Sequence, residues 1–191
     1  MTDLVLAGYA AKEHDRIVAT LFDWLRIPSI SAEPARAGDV RRSAEFVVSC
    51  LCDAGMEHVR LLETGGGRGA PAVYGEWCHA DAGSPTVLVY GHHDVQPVDP
   101  ESAWDAAPFE PVIVDGELRA RGAIDDKGQV LYQIEAARGI LATTGTLPVN
   151  LKFLVEGEEE VGSAHFEALL VDQADLLAAD VIVVSDTGMI A

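Results

Sequence analysis

Three stretches, TVLVYGHHD (86–94), VNLKFLV (149–155) and DVIVVSD (180–186), are short, apolar and rich in β-branched residues. Runs of this kind read as strands buried on both faces, as in sheets covered by helices on either side. Helical patterns stand before and between them. In EHDRIVATLFDWLRI, residues Ile17, Leu21, Trp24 and Leu25 recur on one side, and Pro28 stops the helix. A second helix is expected from Asp39 to about Ala54, with Asp39 as N-cap and Gly55 as terminator. Segments 126–141 and 164–170 also have helical character. HVRLL and AVYGEW can pair as strands across the glycine loop TGGGRGAP, and PVIVD and ELRAR flank the turn pair Asp115-Gly116. Strands alternating with helices predict an α/β fold, a three-layer sandwich with a mostly parallel, mixed central sheet.

Four clusters, GHHD, AIDDKG, EGEEEVGS and VVSD, stand at the ends of expected strands, where parallel α/β sheets bind ligands. Each alone has an ordinary explanation: a hydrogen-bonded histidine, an acidic helix start, a solvated acid run. Together they point further, because unpaired buried carboxylates cost several kcal/mol and call for a cation. On an extended segment residues two apart share a face, so His92 and Asp94 point one way and His93 the other. Imidazole among carboxylates suits Zn²⁺, Mn²⁺ or Co²⁺, and the residue types do not separate these. A carboxylate bridging two ions would hold them about 3.5–4 Å apart. Another carboxylate would then be left to take the proton of a bound water.

The 191 residues suffice for one domain with a real core, and a 49% hydrophobic content favours folding over disorder. Against 31 acidic residues stand only 13 lysines and arginines, a formal net charge of −18. That balance argues against nucleic acid and anionic membrane surfaces as partners. No apolar run approaches the roughly 20 residues of a membrane span, and Asp3 replaces the basic region a signal peptide needs. Cys50, Cys52 and Cys78, odd in number and without zinc-knuckle spacing, read as reduced thiols. The chain is therefore expected in the cytoplasm.

In order and spacing, GHHDVQPVDP, the APFEP run after Trp104, RGAIDDKGQ, LPVNLKFLVEGEEEVGS and VVSDT resemble the carnosinase-type dipeptidases of the di-zinc aminoacylase, glutamate carboxypeptidase and desuccinylase superfamily. The resemblance runs from Phe22 to Asp186. It implies two zinc ions, with Mn or Co as substitutes, and hydrolysis of small peptide substrates by a metal-activated water. His92, Asp125 and Asp186 would hold one zinc, Asp125 would bridge to the second, and Glu160 would bind that second ion. Asp94 would be the catalytic aspartate that orients His92, and Glu159 the general base. Glu156 and Glu158 are left to shape or charge the surroundings, and a cis peptide is implied at Asp125–Asp126.

The chain departs from the family at three points. Arg119 and Ala120 stand where a Tyr-Gly pair precedes RGA, and His93 fills a position usually hydrophobic or aromatic. The sequence also stops at Ala191, five residues past Asp186. On this reading residues 1–191 are the amino-terminal portion of the catalytic domain. The lid and dimerisation domain, through which the complete protein would form a homodimer, and the last histidine ligand would lie outside them. The competing expectations are a non-catalytic metal-binding fragment or interaction module, and an amidohydrolase of N-acyl amino acids.

Overall fold

The β-branched runs form strands and the periodic segments form helices. The computed structural model describes residues 2–188, with side-chain surroundings from residue 5 onward, so the expected end at Ala191 lies outside the described residues. In chain order the elements are α1 (Thr2–Leu25), α2 (Ala37–Asp53), β1 (Glu57–Leu62), β2 (Ala72–Trp77), β3 (Thr86–His92) and the short strands β4 (Val112–Val114) and β5 (Glu117–Arg119). They continue with α3 (Lys127–Thr144), β6 (Asn150–Glu156), α4 (Phe166–Asp172), α5 (Ala174–Leu177) and β7 (Val181–Val184).

The main sheet has the order β1-β2-β6-β3-β7. β2 pairs antiparallel with β1 and β6, whereas β3 pairs parallel with β6 and β7, so β2 alone runs against the rest. The two-residue period of the strands builds two cores. Val73, Val89, Phe153 and Val155 face one way, against Trp24, Leu51 and Ile134 of α1, α2 and α3. Ala72, Tyr74, Leu88 and Leu154 face the other way, against Leu169 and Leu177 of α4 and α5. The result is the expected three-layer arrangement.

Two expectations are corrected. Asp39 does not cap α2. The helix starts earlier, out of a 3-10 turn at Pro34–Arg36, where proline suits a first-turn position. Asp39 instead pairs with Arg36 and Arg42, each at 3.0–3.1 Å. AIDDKG does not leave a strand of the main sheet either. β4 and β5 form a separate hairpin about Asp115-Gly116, and Asp126 directly precedes α3, so a helix start delivers this cluster.

Helix α1 is fastened to α3 at two points. The Arg16 guanidinium donates to both Glu135 carboxylate oxygens, at 2.9 and 2.6 Å. Lys127, wholly buried, donates from Nζ to the carbonyls of Trp24 (3.2 Å) and Ile27 (2.7 Å) at the end of α1. Burial lowers its pKa to about 7. The same lysine thereby anchors the turn that carries Asp125 and Asp126.

Candidate metal centre

β3 ends at His92, opposite Glu156 on β6, and the backbone immediately beyond is held by buried polar groups. Trp24 Nε1 donates to Ser43 Oγ (2.8 Å), and both Ser43 and Ser29 hydroxyls donate to the His93 carbonyl at 2.9 and 2.7 Å. His93 points away from His92, with Nε2 2.9 Å from the Pro71 carbonyl, and burial lowers its pKa to about 4. A Cβ on Gly157 would sit 2.6 Å from the His93 ring, which explains the glycine at the start of the acid run.

The His92 imidazole has a defined polarity. Its backbone N–H donates to Asp126 Oδ2 (3.1 Å). Nδ1 meets only acceptors, the Asp94 carbonyl at 3.2 Å and Asp94 Oδ1 at 3.4 Å, so it carries the proton. Nε2 is buried and lies 3.0 Å from Asp125 Oδ1, but out of line for a hydrogen bond, and 3.8 Å from Asp186 Oδ2. Nε2 is thus the ring nitrogen turned toward both carboxylates, and it offers them a lone pair once its proton gives way to a cation.

Glu160 completes the cluster. One ligand atom each from His92, Asp125 and Glu160 lies within 4.8 Å of the others, and Asp186 approaches from outside this triplet. Glu160 sits in a 3-10 turn, Glu159–Val161, whose first residue is the half-buried Glu159. The Glu160 backbone N–H donates to Asp94 Oδ2 (3.1 Å), and Gln96 Nε2 donates to Glu160 Oε2 (2.6 Å). The Asp125–Asp126 peptide is cis.

The electrostatics reflect an excess of acid. Burial alone would lower His92, but Asp94 first, then Asp126 and Asp125, carry it up to about 10. Burial also works to raise Asp94, yet His92 and Ser31 hold it below the usual carboxylate range. Burial pushes Asp126 up to about 7 and raises Glu160. A cation relieves such a cluster by replacing the proton that His92 otherwise carries. The orphaned Nε2 and the oxygen-rich set around it fit a divalent ion such as Zn²⁺ or Mn²⁺.

Of the remaining acids, Glu156 is buried and accepts from the Tyr90 hydroxyl (2.6 Å) and Ser163 Oγ (3.1 Å). Glu158 is half-buried. It accepts the Ala70 N–H at 3.2 Å and lies 3.0 Å from His165 Nδ1, joining the glycine loop to the acid run. Arg119 bonds Glu117 within the hairpin. Asp126, Gln96 and Glu158's partners escape sequence reasoning, since their roles come from residues remote in the chain.

The family model described as peptidase family M20/M25/M40 matches residues 88–190. The β-Ala-His dipeptidase of Mus musculus is 35% identical over 95% of this chain and 39% of its own length. A Cys-Gly metallodipeptidase of Saccharomyces cerevisiae is 31% identical over 85% of this chain and 36% of its own. The crystal structure of human carnosine dipeptidase 1 superposes with a TM-score of 0.88 at 34% identity, covering 99% of this chain and 42% of that one. The chain therefore spans about two fifths of the length of the relatives it matches. No helix among the described residues is long and apolar enough to cross a membrane. With the family model spanning more than half of its residues, and with the site motifs inside that span, the chain belongs to peptidase family M20/M25/M40.

Proposed function

We propose that this chain carries the cation-binding and proton-transferring part of a metal-dependent peptidase that hydrolyses dipeptides. The observation that carries the reading is the buried His92 Nε2, unbonded and facing Asp125 and Asp186. The names of the mouse and yeast relatives, a β-Ala-His dipeptidase and a Cys-Gly metallodipeptidase, support the substrate class.

In this reading His92, Asp125, Asp186 and Glu160 would together hold the divalent metal. Bound ions supply Lewis acidity, making a water acidic near neutral pH and polarising the scissile carbonyl. The protein's own part is positional and protonic. Asp94 keeps the His92 proton on Nδ1, so that Nε2 presents its lone pair, and through Oδ2 it fixes the backbone of Glu160. Gln96 restrains the Glu160 carboxylate. Glu159, next to Glu160 in the same turn, takes the proton of the attacking water on its carboxylate and returns it to the leaving amine.

The test uses the protein translated from its complete reading frame, stripped by chelator and reloaded with Zn²⁺ or Mn²⁺. Hydrolysis of β-Ala-His or Cys-Gly is expected, with Glu159→Gln lowering kcat at least about a hundredfold while metal content stays unchanged. Cleavage of N-acyl amino acids but no dipeptide would move the assignment to an amidohydrolase. Metal binding with no turnover of either class would leave a non-catalytic metal-binding protein.

A further inference from the structure

Gln129, on the first turn of α3, is 5% exposed and makes four hydrogen bonds through one amide. Nε2 donates to the carbonyls of Ile124 (2.8 Å) and Thr187 (2.9 Å). Oε1 accepts from Ser185 Oγ (3.0 Å) and from the Thr187 N–H (3.4 Å). The partners fix the amide orientation: two carbonyls require the NH₂ side, and a hydroxyl with an N–H suits the oxygen. Donor and acceptor capacities are both filled, so rotating the amide would break every bond.

The partners are neighbours of the candidate ligands. Ile124 precedes Asp125, while Ser185 and Thr187 flank Asp186. β7 ends at Val184, so Asp186 stands on irregular backbone beyond the last ladder bond of that strand. Both carboxylates nevertheless approach the same atom, His92 Nε2, at 3.0 and 3.8 Å. Tyr132, one turn further along α3, contacts Ser185 Oγ and adds a second hold on the segment.

We infer that Gln129 is a positioning residue that holds Asp125 and Asp186 together beside His92 Nε2 for cation binding. The inference rests on the metallopeptidase reading above. It also explains why an amide, rather than another acid, stands there. A carboxylate of the same shape cannot donate to the Ile124 and Thr187 carbonyls, and it would repel them beside an already acidic cluster.

The test is Co²⁺ titration of the metal-free, complete protein, followed by the visible absorption of the bound ion, together with melting of the metal-free form. For Gln129→Glu and Gln129→Met, Co²⁺ affinity is expected to fall about 10–100-fold, with an altered visible spectrum. The metal-free melting temperature is expected to fall as well, since four hydrogen bonds are lost, so the loss of Co²⁺ affinity and the altered spectrum are what separate positioning from a merely structural role. Ser185→Ala, which removes one donor, is expected to weaken affinity by a smaller factor and guards against poor folding of the Gln129 variants. Wild-type affinity and spectrum in Gln129→Glu, or in Ser185→Ala where Gln129 variants do not fold, would overturn the inference alone. A melting loss in Gln129→Met without any change in affinity would do the same. Absence of Co²⁺ binding in the unsubstituted protein would overturn the metallopeptidase reading, and the inference with it.

Discussion

Cys50 and Cys52 stand two positions apart on α2 and differ in exposure, because the helix turns one inward and the other outward. Burial pushes the Cys50 thiol up to about 12, leaving almost no thiolate at neutral pH. Cys78 is exposed, though partial burial and the nearby Glu76 raise it too. With iodoacetamide at pH 8 on the folded chain, Cys52 should alkylate first, Cys78 more slowly and Cys50 only after denaturation. Peptide mass mapping reads the order, and early modification of Cys50 would show that α2 opens in the native state. The divergence of this pair is legible from spacing alone, as is the shared face of His92 and Asp94, because both depend on local backbone geometry. Glu158 and Gln129 are different. Besides near neighbours, each bonds a residue far along the chain, Ala70 at 88 residues from Glu158 and Thr187 at 58 residues from Gln129, and no local pattern encodes such a meeting. Sequence motifs therefore point to the groups that face the cation more readily than to those that hold them in place.

At the scale of elements, the fork between Arg16 and Glu135 bears most directly on how α1 attaches. Glu135's side chain is 7% exposed, so removing its partner strands a nearly buried carboxylate. Arg138 lies 3.7 Å from the same carboxylate and offsets part of the loss. Arg16→Ala is therefore expected to cost about 1.5–3 kcal/mol, toward the lower end of that interval. Urea unfolding should show a lower midpoint with an unchanged slope, and a midpoint equal to wild type would mean that Arg138 replaces Arg16 fully. Helix stops at Pro28 and Gly55 and the Asp115-Gly116 hairpin are readable because each follows from the backbone preferences of one or two residues. The start of α2 is not. A favourable capping residue at Asp39 competes there with a proline-led turn and two arginine pairings, and these prevail. Strand order is equally silent in the sequence, since the placement of β6 between β2 and β3 depends on packing of whole faces rather than on any one segment.

Across the whole molecule the two edges of the main sheet are unlike. β1 carries a register irregularity between Glu57 and Arg60, with His58 at φ 51°, and its charged side chains discourage pairing. β7 has none of these protections. Val181, Ile182, Val183 and Val184 are 49, 64, 40 and 56% exposed along an unpaired parallel edge. At micromolar concentration the isolated 191-residue chain is expected to self-associate through β7, and Ile182→Lys to shift it toward monomer in sedimentation velocity. A chain that stays monomeric at all concentrations would show that this edge is not adhesive. The asymmetry gives the sheet a direction: the β1 edge discourages a further strand, whereas the β7 edge offers a regular one. Sheet strands lie about 4.8 Å apart. A further parallel strand laid along β7 would therefore end beside Asp186, one strand spacing from the carboxylates that face His92.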